Sequence, residues 1–281
     1  MWLATAIGSA VLFGFAGWWM KVSQMRGGST RLLLLGLYGS GALGFGVHAA
    51  IEGTLDKLAD PIIWIAGIVI GAGSAWGNAL FMKALHYGPA SLTSPLTNMN
   101  IILVVALSTL WYKEPLSASE AIGITLLLLA VVFIAYKRKE PLTIKEKRWF
   151  IIVGAAILLF ALRNGGLKVT EELGLPSAPI LFIAYALSLG WFFIPDHHAA
   201  PRSAKRTGLW FGIIAGLFSY GGLQLYAAAL STGQANLAAP IFATNSLVVA
   251  ALAIAVYKEK LTLVQWAAFA FTIIGLIIIR L

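Results

Sequence analysis

The chain has 281 residues, 59% of them hydrophobic and only 11% charged, with a formal net charge of +9, no cysteine and a mean hydropathy of +0.86. A soluble domain carries about 25% charged residues, so this composition excludes an ordinary water-soluble fold and makes lipid the solvent for most of the surface. The missing cysteines exclude disulfides and thiolate metal sites. The basic residues lie in short links between apolar segments, which is how membrane proteins, rather than nucleic-acid binders, distribute them.

A membrane helix needs roughly 20 mainly apolar residues. Segments of that kind run over 2–21, 32–51, 62–83, 90–111, 118–136, 149–168, 178–195, 208–230, 235–256 and 263–280. They predict an all-α membrane protein of ten transmembrane helices. The first segment opens without a basic region and is too long for a signal-peptide core, so it reads as the first membrane helix. Near its end Trp18 and Trp19 precede Lys21. This is either an aromatic belt with a snorkelling lysine or a flat wall for an organic solute. Neighbouring residues point about 100° apart on a helix, so only one indole can face a cavity.

Gly36, Ser40 and Gly44 in the second segment, and Gly67, Gly71 and Ala75 in the third, recur every four residues. Such small-residue faces let membrane helices approach closely. Ser74 and Asn78 share one face of the third segment. Pro95 lies early in the fourth, with Asn100 five residues on. A proline inside a helix frees a carbonyl and kinks the chain; Asn100 either satisfies that carbonyl or faces a solute. The turn "YKEPLS" follows at 112–117, and Ser117 with Glu120 forms a capping box for the fifth helix. Residues 138–148, "RKEPLTIKEKR", are a basic linker.

In the sixth segment Arg163 sits about 14 residues in, roughly 21 Å along the axis, followed by Asn164, Gly165 and Gly166. An ionisable group at such depth is a functional candidate by default. Either it faces a cavity and binds a carboxylate or phosphate, or the helix frays at the glycines and Arg163 snorkels to the interface. Ser219, Tyr220 and Gln224 in the eighth segment mirror the polar face of the third. Pro240 and Asn245 in the ninth repeat the spacing of Pro95 and Asn100, and "YKEKLT" at 257–262 leads into the tenth through Thr262 and Gln265, a second capping box. The acidic residues, Glu114 and Glu259 among them, fall in or beside loops, so no buried carboxylate is expected; Lys113 and Glu114 read first as an interfacial turn. The histidines show no metal-ligand spacing.

The two hexapeptides are one sign of a longer repeat. Shifted by 145, Ser74 falls on Ser219, Pro95 on Pro240, Asn100 on Asn245 and Tyr112-Lys113-Glu114 on Tyr257-Lys258-Glu259. "KVS" at 21–23 falls on "KVT" at 168–170 with a looser register. The chain thus divides into a first five-helix repeat over 1–137, the linker 138–148 and a second repeat over 149–281. Because five is odd, the copies cross the membrane in opposite directions. Inverted repeats of this kind hold solutes near the midplane in many secondary transporters.

The stretches "ALHYGPASLTSPLTNMNIILVVALSTLWYKEPLS" and "ALSTGQANLAAPIFATNSLVVAALAIAVYKEKLT" resemble the EamA-type repeat of the drug/metabolite transporter superfamily. The resemblance extends over essentially the whole chain and puts Glu114 and Glu259 on the family's turn glutamate. It implies a transport fold, with substrates ranging over amino acids, purines, sugars, nucleotide-linked sugars, amines and toxic compounds. Small multidrug members of the superfamily carry a carboxylate deep in the first helix. None stands here, which argues against a proton-coupled exporter of lipophilic cations. At the position of Arg163 the family usually has an uncharged, often aromatic residue.

Motifs of common hydrolases and nucleotide-binding enzymes, "HExxH", "GxxxxGK[ST]" and "GxSxG", are absent, so neither an enzyme nor a cofactor is expected. The expected function is secondary transport of a small polar metabolite, an amino acid or other carboxylate-bearing solute, by alternating access between the repeats. The alternative is a membrane scaffold that keeps the fold without transport. The expected partners are the solute and the bilayer, in a bacterial or archaeal plasma membrane, with no nucleic acid; the sequence carries no signal for oligomeric state. Arg163, Asn164, Trp18, Trp19, Ser74, Asn78, Asn100, Ser219, Tyr220, Gln224 and Asn245 are the expected solute contacts, with Pro95 and Pro240 interrupting their helices. Asn78, Asn100, Gln224 and Asn245 are expected near the axis between the repeats. The positive-inside rule puts both termini outside, because only Lys57, Lys113, Lys168 and Arg280 lie toward their side; the family resemblance implies termini inside.

Overall fold

The computed structural model describes residues 2–87, 93, 96–134, 147–194, 201–257 and 262–280. Its helices are α1 (Trp2–Met25), α2 (Thr30–Ile51), α3 (Pro61–Tyr87), α4 (Asn100–Ala106), α5 (Ala118–Ile134), α6 (Arg148–Glu172), α7 (Ser177–Phe193), α8 (Arg202–Thr232), α9 (Ala235–Ala243), α10 (Asn245–Tyr257) and α11 (Leu263–Arg280). A 3-10 turn at Leu55–Ala59 precedes α3, and α4 runs on as a π-helical turn, Leu107–Trp111. No strand occurs among the described residues. By length and composition α1, α2, α3, α6 and α8 can each cross a membrane; shorter apolar helices cover Leu96–Trp111, Ala118–Phe133, Ser177–Phe193, Ala235–Val249 and Leu263–Ile279.

Local chemistry sets the helix ends. At Ser117 the backbone N–H donates to Glu120 Oε2 (2.7 Å) while the Glu120 N–H donates to Ser117 Oγ (3.2 Å). Thr262 and Gln265 make the same reciprocal pair at 3.0 and 3.3 Å. Both capping boxes therefore form as expected. At the end of α6, Gly174 takes φ +66 and the Leu175 N–H reaches back to Thr170 O at 3.0 Å, a left-handed glycine cap.

Two expectations are corrected. The sixth helix does not fray at Gly165-Gly166 but continues to Glu172; the glycines serve packing, since a Cβ at Gly166 would meet Ile70 at 2.8 Å. The ninth segment is not one helix. It breaks at Thr244, and Pro240 lies inside the short α9 before the break. Pro95 lies outside the described residues.

The repeats interleave. α8, from the second repeat, lies between α1 and α2 of the first; α3, from the first, lies between α6 and α7 of the second. Small residues make these contacts possible. A Cβ at Gly36 would meet Leu209 O at 2.6 Å, and Gly212 faces Leu33 O across the same seam. A Cβ at Gly71 would meet Ala184 O at 2.9 Å and one at Gly73 would meet Leu159 O at 2.6 Å, so α3 approaches α7 and α6 backbone to backbone. This is the close packing that the four-residue glycine spacing predicts. The result is two three-helix bundles, α1–α2–α8 and α3–α6–α7, joined along α2 and α7. α5 packs on α11, and α4 on α9, each an element against its counterpart from the other repeat.

Candidate functional site

Two tyrosines mark the seam between the bundles. Tyr38 on α2 and Tyr185 on α7 are buried and meet edge to face, with ring centroids 5.1 Å apart. The Tyr38 hydroxyl is 3.0 Å from Ser74 Oγ and accepts a hydrogen bond from Asn78 Nδ2 at 2.8 Å. The Tyr185 hydroxyl is 2.7 Å from Ser219 Oγ. Ser74 and Ser219 are repeat equivalents, and at the offset of the Lys21/Lys168 pair Tyr38 falls on Tyr185 and Phe45 on Phe192. Phe45 packs on Tyr185 and Phe192 on Tyr38, with centroids 5.0 and 5.7 Å apart. The sequence reading found the serines and missed the tyrosines that hold them. Extending that offset to the second helix of each repeat would have found them.

Arg163 on α6 does not snorkel; it is buried, with 5% of its surface exposed. Its Nε donates to Asn164 Oδ1 at 3.0 Å. Asn164 Nδ2 in turn donates to Asn100 Oδ1 at 2.8 Å, and Asn100 Nδ2 to Thr97 O at 2.6 Å. The guanidinium lies 5.0 Å from the Phe160 ring centroid and 5.4 Å from that of Phe13, two repeat-equivalent rings. Tyr38, Tyr185 and Tyr226 are near enough to feel its charge. Among the described residues no carboxylate lies within ion-pair distance of it. Desolvated cation–π contacts contribute about 2 kcal/mol, whereas an unpaired buried ion costs several kcal/mol, so the rings offset only part of the penalty. Nearby, the buried Tyr226 hydroxyl has no hydrogen-bond partner among the described residues, and its ring stacks on Phe242 at 4.5 Å.

A second polar group lies where α2 ends beside α8. His48 Nδ1 is 2.9 Å from the Tyr220 hydroxyl, and Nε2 is 3.0 Å from both Glu52 Oε1 and Gln224 Nε2. Among the described residues Gln224 Oε1 is buried without a partner; turning the amide would let that oxygen accept from an imidazole N–H and leave the amide NH2 in the unpartnered place. Trp18 packs with Val22, Leu33, Met82 and Phe211 and is buried rather than part of an interfacial belt, while the half-buried Trp19 packs both on this cluster and on the main core. Asn245 Nδ2 donates to Phe242 O at 2.8 Å, the counterpart of Asn100 on Thr97 O. Both asparagines thus back-bond to the carbonyl three residues before them; only Asn100 also takes a contact from α6.

The expectation of no buried carboxylate fails at Glu114. The π turn and a left-handed Lys113, φ 55, fold "YKEPLS" so that Glu114 points inward, with 10% of its side chain exposed. π turns and left-handed non-glycine residues concentrate at functional sites. Glu114 Oε1 lies 2.7 Å from Lys168 Nζ and accepts from the Ala235 N–H at 3.0 Å; Oε2 accepts from the Asn236 N–H at 2.8 Å. Lys168 is 3% exposed and also pairs with Glu171 at 3.3 Å and with Glu172. The repeat equivalent, Glu259, lies outside the described residues.

The interleaved apolar helices and the polar seam define a multi-pass helical membrane protein of the transporter type. The profile of the EamA-like transporter family matches twice, over residues 1–136 and 149–281, and the chain belongs to that family. A solved structure, "Crystal structure of protein", superposes with a TM-score of 0.74 over 96% of this chain and 96% of that chain at 15% identity, a likeness of fold alone. The uncharacterized protein MJ1333.1 of Methanocaldococcus jannaschii is 36% identical over 59 residues, 21% of this chain and 43% of that protein. The chain therefore matches less than half the length of that relative.

Proposed function

We propose that the protein is a secondary transporter of a small carboxylate-bearing solute, an amino acid or organic anion, and that its helices make ten crossings with the long and the shorter apolar helices together. The observation that carries this reading is Arg163: a buried guanidinium with no carboxylate partner among the described residues. So costly a group inside an apolar helix is a functional candidate by default, and a carboxylate ligand would complete it. Phe13 and Phe160 both lie against the guanidinium, and a planar fork matches a carboxylate in a bidentate arrangement. Asn164, Asn100 and the Tyr226 hydroxyl supply neutral hydrogen-bonding groups beside it.

The polar residues at this place depart from the repeat: Arg163 and Asn164 fall on Ala16 and Gly17, and Tyr226 on Phe81. Mechanical parts need symmetry and a solute does not, so these departures favour recognition over scaffolding. Alternating access would then rock the α1–α2–α8 bundle against α3–α6–α7 rather than one sequence repeat against the other. We assign the protein to a bacterial or archaeal plasma membrane. The test is a thermal-shift screen of purified protein against amino acids, organic anions, sugars, purines and amines, followed by counterflow of the best ligand in proteoliposomes. Stabilisation by carboxylates with counterflow supports the reading; stabilisation by amines alone, or binding without flux, refutes it.

A further inference from the structure

Glu114 gathers both bundles at one end of the molecule. Its carboxylate takes Lys168 from the α3–α6–α7 bundle and, at the same time, the first N–H groups of α9, which begins three residues after the last residue of α8. We propose that this contact is a clasp that closes the end carrying Lys168 and releases in each transport cycle; this rests on the alternating-access reading above.

Two features fit a contact made to open. First, separation strands neither charge. Lys168 keeps Glu171 and Glu172 from its own helix, and Glu114, on a turn at the end of the bundle, gains water; the penalty for an uncompensated buried ion is thereby avoided. Second, the closed contact stabilises α9, whose N-terminal residue Gln234 provides no side-chain cap. The backbone N–H groups at a helix start favour an anion, and Asn236 Nδ2 adds a bond to Pro115 O at 3.1 Å.

The native chain has no cysteine, so a single introduced thiol reports accessibility without background. Ser108, buried just before the clasp on the π turn with an unpartnered hydroxyl, is replaced by Cys in otherwise native protein and in Lys168→Gln and Glu114→Gln backgrounds. Labelling by a membrane-impermeant maleimide is timed in proteoliposomes without solute, with a cysteine at the exposed Leu173 as the reagent control. Each variant is expected to speed labelling at 108 about tenfold or more, the effect of losing one charge-assisted contact, with the double variant no faster than the singles. Lys168→Gln leaves the α9 cap in place and carries the test if Glu114→Gln does not fold. Unchanged labelling in Lys168→Gln, or additive effects in the double variant, overturns the clasp. Unchanged labelling with intact counterflow removes the clasp and leaves the transporter; faster labelling in a protein that moves no solute keeps the clasp and removes transport.

Discussion

Arg163→Gln separates a recognition residue from a structural one by the sign of two effects. In the ligand-free protein the guanidinium is buried beside neutral groups, with one hydrogen bond, Nε to Asn164 Oδ1. A glutamine amide can keep a bond to Asn164 while removing an ion whose burial costs several kcal/mol. The two ring contacts it loses are worth about 2 kcal/mol. The balance favours the variant by about 1 kcal/mol or more, which raises Tm by about 2–4 °C in a chain of this order of size. Binding moves the other way. Losing a charge-assisted bond to a carboxylate costs roughly 1.5–3 kcal/mol, or about 10- to 100-fold in Kd. Arg163→Lys keeps the charge and loses the fork, and should weaken binding without the gain in Tm. The assay is a melting curve with and without the best carboxylate, paired with counterflow. A lower Tm for Arg163→Gln with unchanged affinity would show that Arg163 only holds helices together, and would refute the recognition role.

The paired tyrosines should respond unequally. Tyr38→Phe strands both Ser74 and Asn78, whereas Tyr185→Phe strands Ser219 alone; at about 1–3 kcal/mol for each buried group left unpaired, Tyr38→Phe should lower Tm more, and equal shifts would argue against the hydrogen-bond account. Gly212→Val should abolish monodisperse protein, because Leu33 O occupies the space a side chain needs; normal yield and an unchanged elution profile would refute backbone contact between α2 and α8. Ser117→Ala removes one side of a capping box and should cost about 1 kcal/mol, read as a small drop in Tm with solute affinity unchanged.

The parts of the fold that rest on short-range chemistry were legible in the sequence. Both capping boxes and the glycine faces follow from neighbours within a few residues and form as expected; the apolar segments form helices among the described residues, with the ninth broken at Thr244. Failures occurred where a distant partner decides the outcome. Glu114 reads as an exposed turn residue until α6 brings Lys168 and α9 brings two unsatisfied N–H groups to it. The sequence left Arg163 open between a cavity and snorkelling because Gly165 and Gly166 look like a helix end. In the folded chain Gly166 lies against Ile70, so the helix gains packing there and holds the arginine deep. Trp18 resembles a belt residue by position, but its packing with Phe211 of α8 buries it.

The seam itself shows why symmetry is a guide to role here. A rocking carrier must present similar contacts in two orientations, so the hinges and seams should repeat: Tyr38 with Ser74 matches Tyr185 with Ser219, and the α8 glycines facing α2 match the α3 glycines facing α7. The solute has no such symmetry, and groups that read its charge need appear only once. Arg163 and Asn164 lie opposite Ala16 and Gly17 in the repeat register, so the cation is an addition to a frame that closes without it. Exchanging the two roles makes the claim testable. Ala16→Arg would put a second guanidinium in the equivalent place with no Asn164 beside it, and should destabilise by several kcal/mol without conferring binding on Arg163→Gln. Recovery of carboxylate binding in that double variant would mean that the neutral neighbours contribute little, and that charge alone defines the site.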